Sequence, residues 1–384
     1  MQALELRSAQ LPDDCEELRA QVREFLDQQL SSGRFVPSPD AWLTGWDDEF
    51  SQELGRRGWL GLTVPIEYGG RGATPLQRYV VIEELLAAGA PIAAHWFSDR
   101  QIAPALLNHG TEEQRQRYLP AIARGECRFA LGMSEPDAGS DLAAVRTRAE
   151  RTESGWRVTG QKIWTSGAHH ADAILFLART APVSEGARHA GLSQFLCELP
   201  AEGVTINPIR LMSGAHHFNE VVFDGLELPA DALLGVEGQG WAQVTAELAY
   251  ERSGPERILT TFPLLAALVR NLDELAIDDT LAGLVGELSA RAWALRQLSL
   301  GVAAALARGE RPDSAAALVK DLGTTYEQDV VEAILQAVDP DRLPPDSPLR
   351  VMLMHATMQS PGFTLRGGTN EILRGVVAKT LGVR

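Results

Sequence analysis

The chain has 384 residues, 45% of them hydrophobic, a formal net charge of −16 and three cysteines. That length exceeds one small core and suggests two or three subdomains, and the acidic balance argues against a nucleic-acid partner. No apolar run reaches the roughly 18 residues that a membrane span needs. Cys15, Cys127 and Cys197 lie far apart with no CxxC pair, which argues against a disulfide framework and a zinc site. The opening "MQALELRSAQLPDDCEEL" lacks the apolar core of a secretory signal, so a reducing cytoplasm is the expected location.

Residues 1–125 read as an all-α domain. "CEELRAQVREFLDQQL" and "LQRYVVIEELLAAGAPIAAHW" carry apolar positions at three- and four-residue spacing. "GTEEQRQRYLPAIARG" starts with a capping box, Thr111 with Gln114 three residues on, and stops at Gly125. Between these, "VPIEYGGRGATP" is a turn-rich connector. From 126 to 236 short segments recur between polar turns: "GWRVTGQKIW", "ADAILFLART", "LSQFLCELP", "GVTINPIRL" and "FNEVVFDGLELP". Such spacing predicts a compact β-barrel or sandwich. From 237 to 384 the helical period returns, through "WAQVTAELAYERSGPERILTTFPLLAALVRNL", "TLAGLVGELSARAWALRQLSLGVAAALARG" and "SAAALVKDLGTTYEQDVVEAILQAV". The order is helical, β, helical.

Three stretches carry chemistry-bearing residues. "FALGMSEPDAGSDLAAVRT" packs serine, glutamate, proline and aspartate where an amphipathic strand needs alternation, and a surface turn has the same composition. In "GQKIWTSGAHHAD", Trp164 is followed by two hydroxyl residues and a glycine; a tryptophan there more often serves a core than a cofactor. "LRGGTNEILRG" joins a glycine pair to polar residues and a helix-like tail, the pattern of a chain that closely approaches a ligand. The histidine pairs 169–170 and 216–217 invite a metal reading. Adjacent histidines on an extended strand point to opposite faces, and no cysteine or paired acid stands at ligand spacing, so no metal is expected. "GVEGQGW" and "YGGRG" lack the strand–glycine–helix context of a dinucleotide fingerprint and read as turns.

Taken together and in order, these segments resemble the acyl-CoA dehydrogenase family. "GMSEPDAGSDLAA" is similar to its first signature, "KIWTSGAHHAD" to its flavin-stacking segment, and "FNEVVFDGLELPADALLGVEGQGW" to its exit from the β-domain. "RGGTNEILRGVVAKTLG" resembles its C-terminal signature, and "PIEYGGRG" and "YLPAIARGE" match its N-terminal domain, so the likeness runs over nearly the whole chain. The resemblance implies an α+β multidomain fold: an N-terminal helical domain, a middle β-barrel and a C-terminal four-helix bundle. It implies FAD between barrel and bundle, and a CoA thioester against the flavin. Carried over by position, Met133 and Ser134 contact the flavin edge, Trp164 packs on the isoalloxazine, and Thr165 and Ser166 lie beside it. Ser140 lines the CoA channel and touches the cofactor, Thr369 and Glu371 touch the dinucleotide, and Gly367 and Gly368 let the backbone approach the thioester.

The implied reaction needs a base for the α-proton while the β-hydride goes to flavin N5. A carboxylate whose pKa is raised towards about 6–7 by burial suits that task. In many relatives the base immediately precedes the C-terminal Gly-Thr; here that position is Gly367. Some members place the glutamate on an earlier helix, in a segment resembling "LAYERS", and Glu251 matches it, with Glu247 one turn before. A salt bridge on a solvated face is the plain alternative for Glu251. Arg252 matches a position facing the CoA, with a surface ion pair as its alternative.

Two departures bear on assembly. The family's arginine followed by Phe-Gly is missing from "VRNLDELAIDDTLAGL", and "QAVDPDRLPPDSP" replaces the segment that meets the adenosine half. Both are cross-subunit FAD contacts, so their loss fits either a homotetramer with weakened sites or an α2β2 heterotetramer with a related subunit. The expected activity is α,β-dehydrogenation of an acyl-CoA with Glu251 as base and an electron-transfer flavoprotein as oxidant. Two other readings keep the fold: an FAD-sharing structural subunit whose partner holds the glutamate, and an oxygen-using oxidase or monooxygenase.

Overall fold

The computed structural model describes residues 6–183, 186–273, 275 and 278–383, with the side chains of 246–251 outside the described set. The chain divides into two compact units. One is helical and gathers Met1–Gly45, Ala73–Pro91 and Ala249–Arg384; the other holds Trp46–Gly72 and Ile92–Leu248 and contains the sheet. Residues of the first 125 are therefore shared between both units.

In chain order the helices are α1 (Asp13–Ser31), α2 (Ala41–Thr44), α3 (Asp48–Arg56), α4 (Pro75–Ala87), α5 (Ala93–Phe97), α6 (Ala103–His109) and α7 (Glu112–Ala123). After the sheet come α8 (Gly240–Arg252), α9 (Phe262–Arg270), α10 (Asp279–Ala307), α11 (Asp313–Ala337), α12 (Pro348–Gln359) and α13 (Asn370–Thr380). Local chemistry sets several of these boundaries. The Thr111–Gln114 capping box forms as the sequence predicts, and a second one, Thr74–Gln77 with Pro75 at the first helical position, starts α4. The long apolar period from Leu76 to Trp96 does not stay helical. Gly89 adopts φ 63° and Pro91 follows, so α4 stops and α5 starts afresh. The stretch from Trp241 to Leu272 is broken likewise, at Gly254-Pro255.

The helical unit buries one core of Leu264, Leu268, Leu288, Val319, Tyr326, Val330, Ile334, Leu353 and Phe363. A charged network joins three of its helices. Arg19 of α1 reaches Glu83 at 2.8 Å and Glu84 at 2.5 Å on α4, and Arg296 of α10 grips Glu83 from the other side at 2.6 Å.

Among the described residues the sheet unit has eight strands: β1 (Phe129–Gly132), β2 (Arg148–Arg151), β3 (Gly155–Ser166), β4 (Ala173–Arg179), β5 (Leu192–Glu198), β6 (Val204–Arg210), β7 (His216–Pro229) and β8 (Leu233–Leu234). Their order is β6-β7-β3-β2-β4-β5-β8, with β1 parallel to β4. β4 is apolar without alternation because both its faces are covered. Ile174, Phe176 and Ala178 join Trp156, Phe195 and Phe223 in one core, while Ala173 and Leu175 pack with Ile102, Leu106 and Leu119 of the adjoining helices.

Candidate functional site

In the sheet unit, β1 ends at Gly132 and the chain turns through Met133 and Ser134, both half-buried. The turn closes by a bridge between Glu135 and Ala138. Ser134 C=O accepts from Ile163 N–H at 2.9 Å, so this turn is bound directly to β3. Along β3 the pairing to β7 slips between Lys162 and Thr165, and within that irregularity Trp164 adopts φ 60°. For a bulky side chain this left-handed backbone is costly, on the order of 1–3 kcal/mol, and such strain gathers at functional sites. Its effect is visible in the side chains. Trp164 is 52% exposed and meets the Phe218 ring in a T-shaped contact at 5.7 Å, whereas Lys162 and Thr165 are fully buried.

Thr165 thus points away from the surface on which Trp164 stands. Its carbonyl accepts from Asn219 Nδ2 at 3.0 Å, and its hydroxyl has no partner among the described residues. Ser166 is half-buried, and Ser140 is exposed in a bend beyond the turn. The neighbouring histidines correct the sequence reading. His169 and His170 sit in a short 3-10 turn instead of a strand, with rings 4.0 Å apart, and His216 stacks on His169 at 4.1 Å. Asn219 pins this column through His169 Nδ1 at 3.0 Å and His216 Nε2 at 2.9 Å. Stacked rings do not converge on one ion, and no group of three or more ligating side chains stands at metal geometry among the described residues.

In the helical unit, Glu251 lies in the last turn of α8 and Glu247 one turn earlier, both with side chains outside the described set. Arg252 is half-buried. Gly367 and Gly368 both adopt left-handed backbone, φ 69° and 84°, immediately before α13. A Cβ on Gly367 would stand 2.6 Å from Arg257 Nη2, and one on Gly368 would stand 3.4 Å from Arg252 Nη2. Thr369 caps α13 by accepting from Ile372 N–H at 3.5 Å, and Glu371 is exposed in the first turn. Hydrogen bonds from its own backbone N–H and from Thr369 hold the Glu371 carboxyl below the usual range. The N–H groups of Gly367, Gly368 and Thr369 donate to no acceptor among the described residues. Together with the N-terminus of α13 they form a cradle suited to an anion.

This cradle is held from beneath by a buried charged cluster that the sequence reading did not find. Lys320 Nζ donates to Thr364 C=O at 3.0 Å and to Asn370 Oδ1 at 2.7 Å, and its ammonium is pushed down to about 7 by burial and by Arg257 and Arg366. Arg366 pairs with Asp40 at 2.7 Å and lies over the Trp42 ring at 4.6 Å. Glu256 and Arg257, within "SGPERI", are interior as well, although a charged turn between apolar helices reads as exposed.

Glu327 completes the cluster. One oxygen accepts from Thr260 N–H at 2.8 Å, the other has no partner among the described residues, and burial pushes the carboxyl up to about 8. Its folded pKa lies above the unfolded value, so its contribution to stability is full below about 4.5 and is lost as pH rises to about 8. Glu327→Gln, which cannot ionise, is expected to gain on the natural chain over that window by up to about 1.4 kcal/mol per pH unit. Urea unfolding at pH 5, 6.5 and 8 measures the difference, and a gap that does not change with pH would count against a protonated Glu327.

Comparison with known proteins covers both sets of residues. Three family models match in series: acyl-CoA dehydrogenase N-terminal domain at 12–126, middle domain at 130–226 and C-terminal domain at 238–382. The chain is 35% identical over 383 residues to acyl-CoA dehydrogenase IpdE1 of Mycobacterium tuberculosis, covering 95% of this chain and 97% of that one. A 33% match to FadE34 of the same organism spans only 43% of that longer protein. Among solved structures, the Tcur3481-Tcur3483 steroid ACAD superposes with a TM-score of 0.86 at 29% identity, over 99% of each chain. The ChsE4-ChsE5 complex from Mycobacterium tuberculosis gives 0.82 at 28%, over 98% of this chain and 99% of that one.

Proposed function

We propose a mechanism from one premise: the chain belongs to the acyl-CoA dehydrogenase family and is an FAD-dependent oxidoreductase. The residues present fit that cofactor. An outward-facing tryptophan, held in a strained backbone beside the Met133–Ser134 turn, offers a flat apolar surface to an isoalloxazine ring. The unused N–H groups at Gly367–Thr369 offer donors to phosphate or carbonyl oxygens. We assign Met133, Ser134, Trp164, Ser166 and the backbone of Thr165 to the ring, Thr369 and Glu371 to the dinucleotide, and Ser140, Arg252, Gly367 and Gly368 to the acyl-CoA.

Bound FAD supplies the acceptor for the hydride that leaves Cβ. Glu251 takes the α-proton, its basicity raised where the acyl chain excludes water. A backbone N–H directed at the thioester carbonyl stabilises the enolate-like charge that grows as the proton leaves. The observation that carries Glu251 as base is the closure of the alternative position: Gly367 has a left-handed backbone with a buried arginine where a side chain would project. An electron-transfer flavoprotein would serve as the oxidant that restores the cofactor between turnovers.

The acyl group we propose is bulky and polycyclic, of the steroid-derived kind, after the steroid ACAD whose fold this chain shares. Assembly with a further subunit is favoured by an exposed apolar stripe on α12, and a related subunit over an identical one by the absence of the family's Arg-Phe-Gly from "VRNLDELAIDDTLAGL". Val351, Met354 and Met358 are 55%, 45% and 39% exposed at helical spacing. Anaerobic titration of the purified, FAD-loaded assembly with a steroid side-chain acyl-CoA is expected to bleach the flavin band stoichiometrically. No bleaching with any acyl-CoA would sink the dehydrogenase assignment, and rapid oxygen use without an acceptor would favour oxidase chemistry.

A further inference from the structure

The two segments assigned to the flavin ring are tied together by a buried ion pair. Lys162 Nζ lies 2.8 Å from Glu135 Oε1, with side chains 0% and 7% exposed, and donates also to Met133 C=O at 3.3 Å. Glu135 accepts from Thr147 N–H at 2.9 Å on the same oxygen and from Arg146 N–H at 2.7 Å on the other. The pair therefore fastens the Met133–Glu135 turn to the interior of β3. Gly132 makes room for this, because a Cβ there would press on the Lys162 stem at 3.2 Å.

Lys162 and Trp164 are two residues apart, so a regular strand would send both to the same face. Here the ladder slips between Lys162 and Thr165, and the two side chains part, lysine inward and tryptophan outward. The lysine is the last inward anchor before the strained residue. An apolar pair of similar volume often serves stability as well as a buried ion pair does, so apart from the acceptors that Glu135 gives to two backbone N–H groups, stability does not call for a lysine at this point.

We propose that Lys162 and Glu135 are positioning residues for the flavin. They fix both the irregular strand that presents Trp164 and the turn that presents Met133 and Ser134, and so set the affinity for FAD. The proposal rests on the placement of the flavin against Trp164 given above.

The test compares Lys162→Met/Glu135→Met, Glu135→Gln and Trp164→Ala with the natural chain, each as the full chain in whichever assembly binds FAD. FAD dissociation constants are read from flavin fluorescence, the bound flavin's environment from visible circular dichroism, and apo-protein stability from thermal melts. The double variant also leaves the Arg146 and Thr147 N–H groups without their acceptor, so its apo-protein is expected to melt below the natural one and, where folded, to bind FAD at least about tenfold more weakly with an altered flavin spectrum. Natural affinity and spectrum in the double variant, with Trp164→Ala weakened, would overturn the positioning role and leave the pair as packing. Should the double variant not fold, Glu135→Gln decides by the same reading: about a tenfold loss supports the role, and natural affinity overturns it. Unchanged affinity in Trp164→Ala would instead remove the flavin placement itself.

Discussion

Glu251→Gln is expected to retain FAD and to slow flavin reduction by acyl-CoA by about 10²–10⁴-fold, the scale of losing a general base. Glutamine keeps the volume and polarity of the side chain and removes only its capacity to accept a proton. Cofactor content should therefore hold while anaerobic stopped-flow bleaching nearly stops. Glu247→Gln, one turn earlier on α8, is the matched control and should bleach at the natural rate. Reversed effects would move the base by one turn; two active variants would place it on another chain, as in an FAD-sharing subunit.

The second large effect is a failure to rescue. Adding Gly367→Glu to Glu251→Gln puts a carboxylate where many relatives carry theirs, yet bleaching is expected to stay absent. Two obstacles stand at that position. The backbone has φ 69°, which disfavours any side chain, and the new Cβ would stand 2.6 Å from the Arg257 guanidinium. Arg257 is 2% exposed, so it has little space into which to withdraw. Gly367→Glu alone should also lower the stability of the fold by about 1–3 kcal/mol from backbone strain. Restored bleaching in the double variant would show that the loop gives way and that the base position is not closed by its surroundings.

What could be read from the sequence follows the range of the interaction. The capping box at Thr111, the change of texture near residue 126 and the return of helical period after Gly240 depend on neighbours within a few positions, and each appears in the structure. Breaks inside apolar runs were harder to place, because Gly89 and Pro91 look like interruptions only once the turn they make is seen. The outward turn of Trp164 was beyond reach, since alternation puts it on the face of Lys162 and only the slip against β7 separates them. Arg257 beside Gly367, and the lysine bound to Glu135, join residues 110 and 27 positions apart. Such pairings leave no local signature, so the site was legible as a set of motifs and the supports beneath them were not.

The network of Arg19, Glu83, Glu84 and Arg296 has a consequence for synthesis on the ribosome. Glu83 is partnered from both sides, by an arginine that emerges early and by one that follows it by 213 residues. Until α10 has left the exit tunnel, Glu83 has only one of its two arginine partners, while every strand of the sheet is already available to pair. The packing of α1 on α4 is therefore completed only after the sheet's strands have been made.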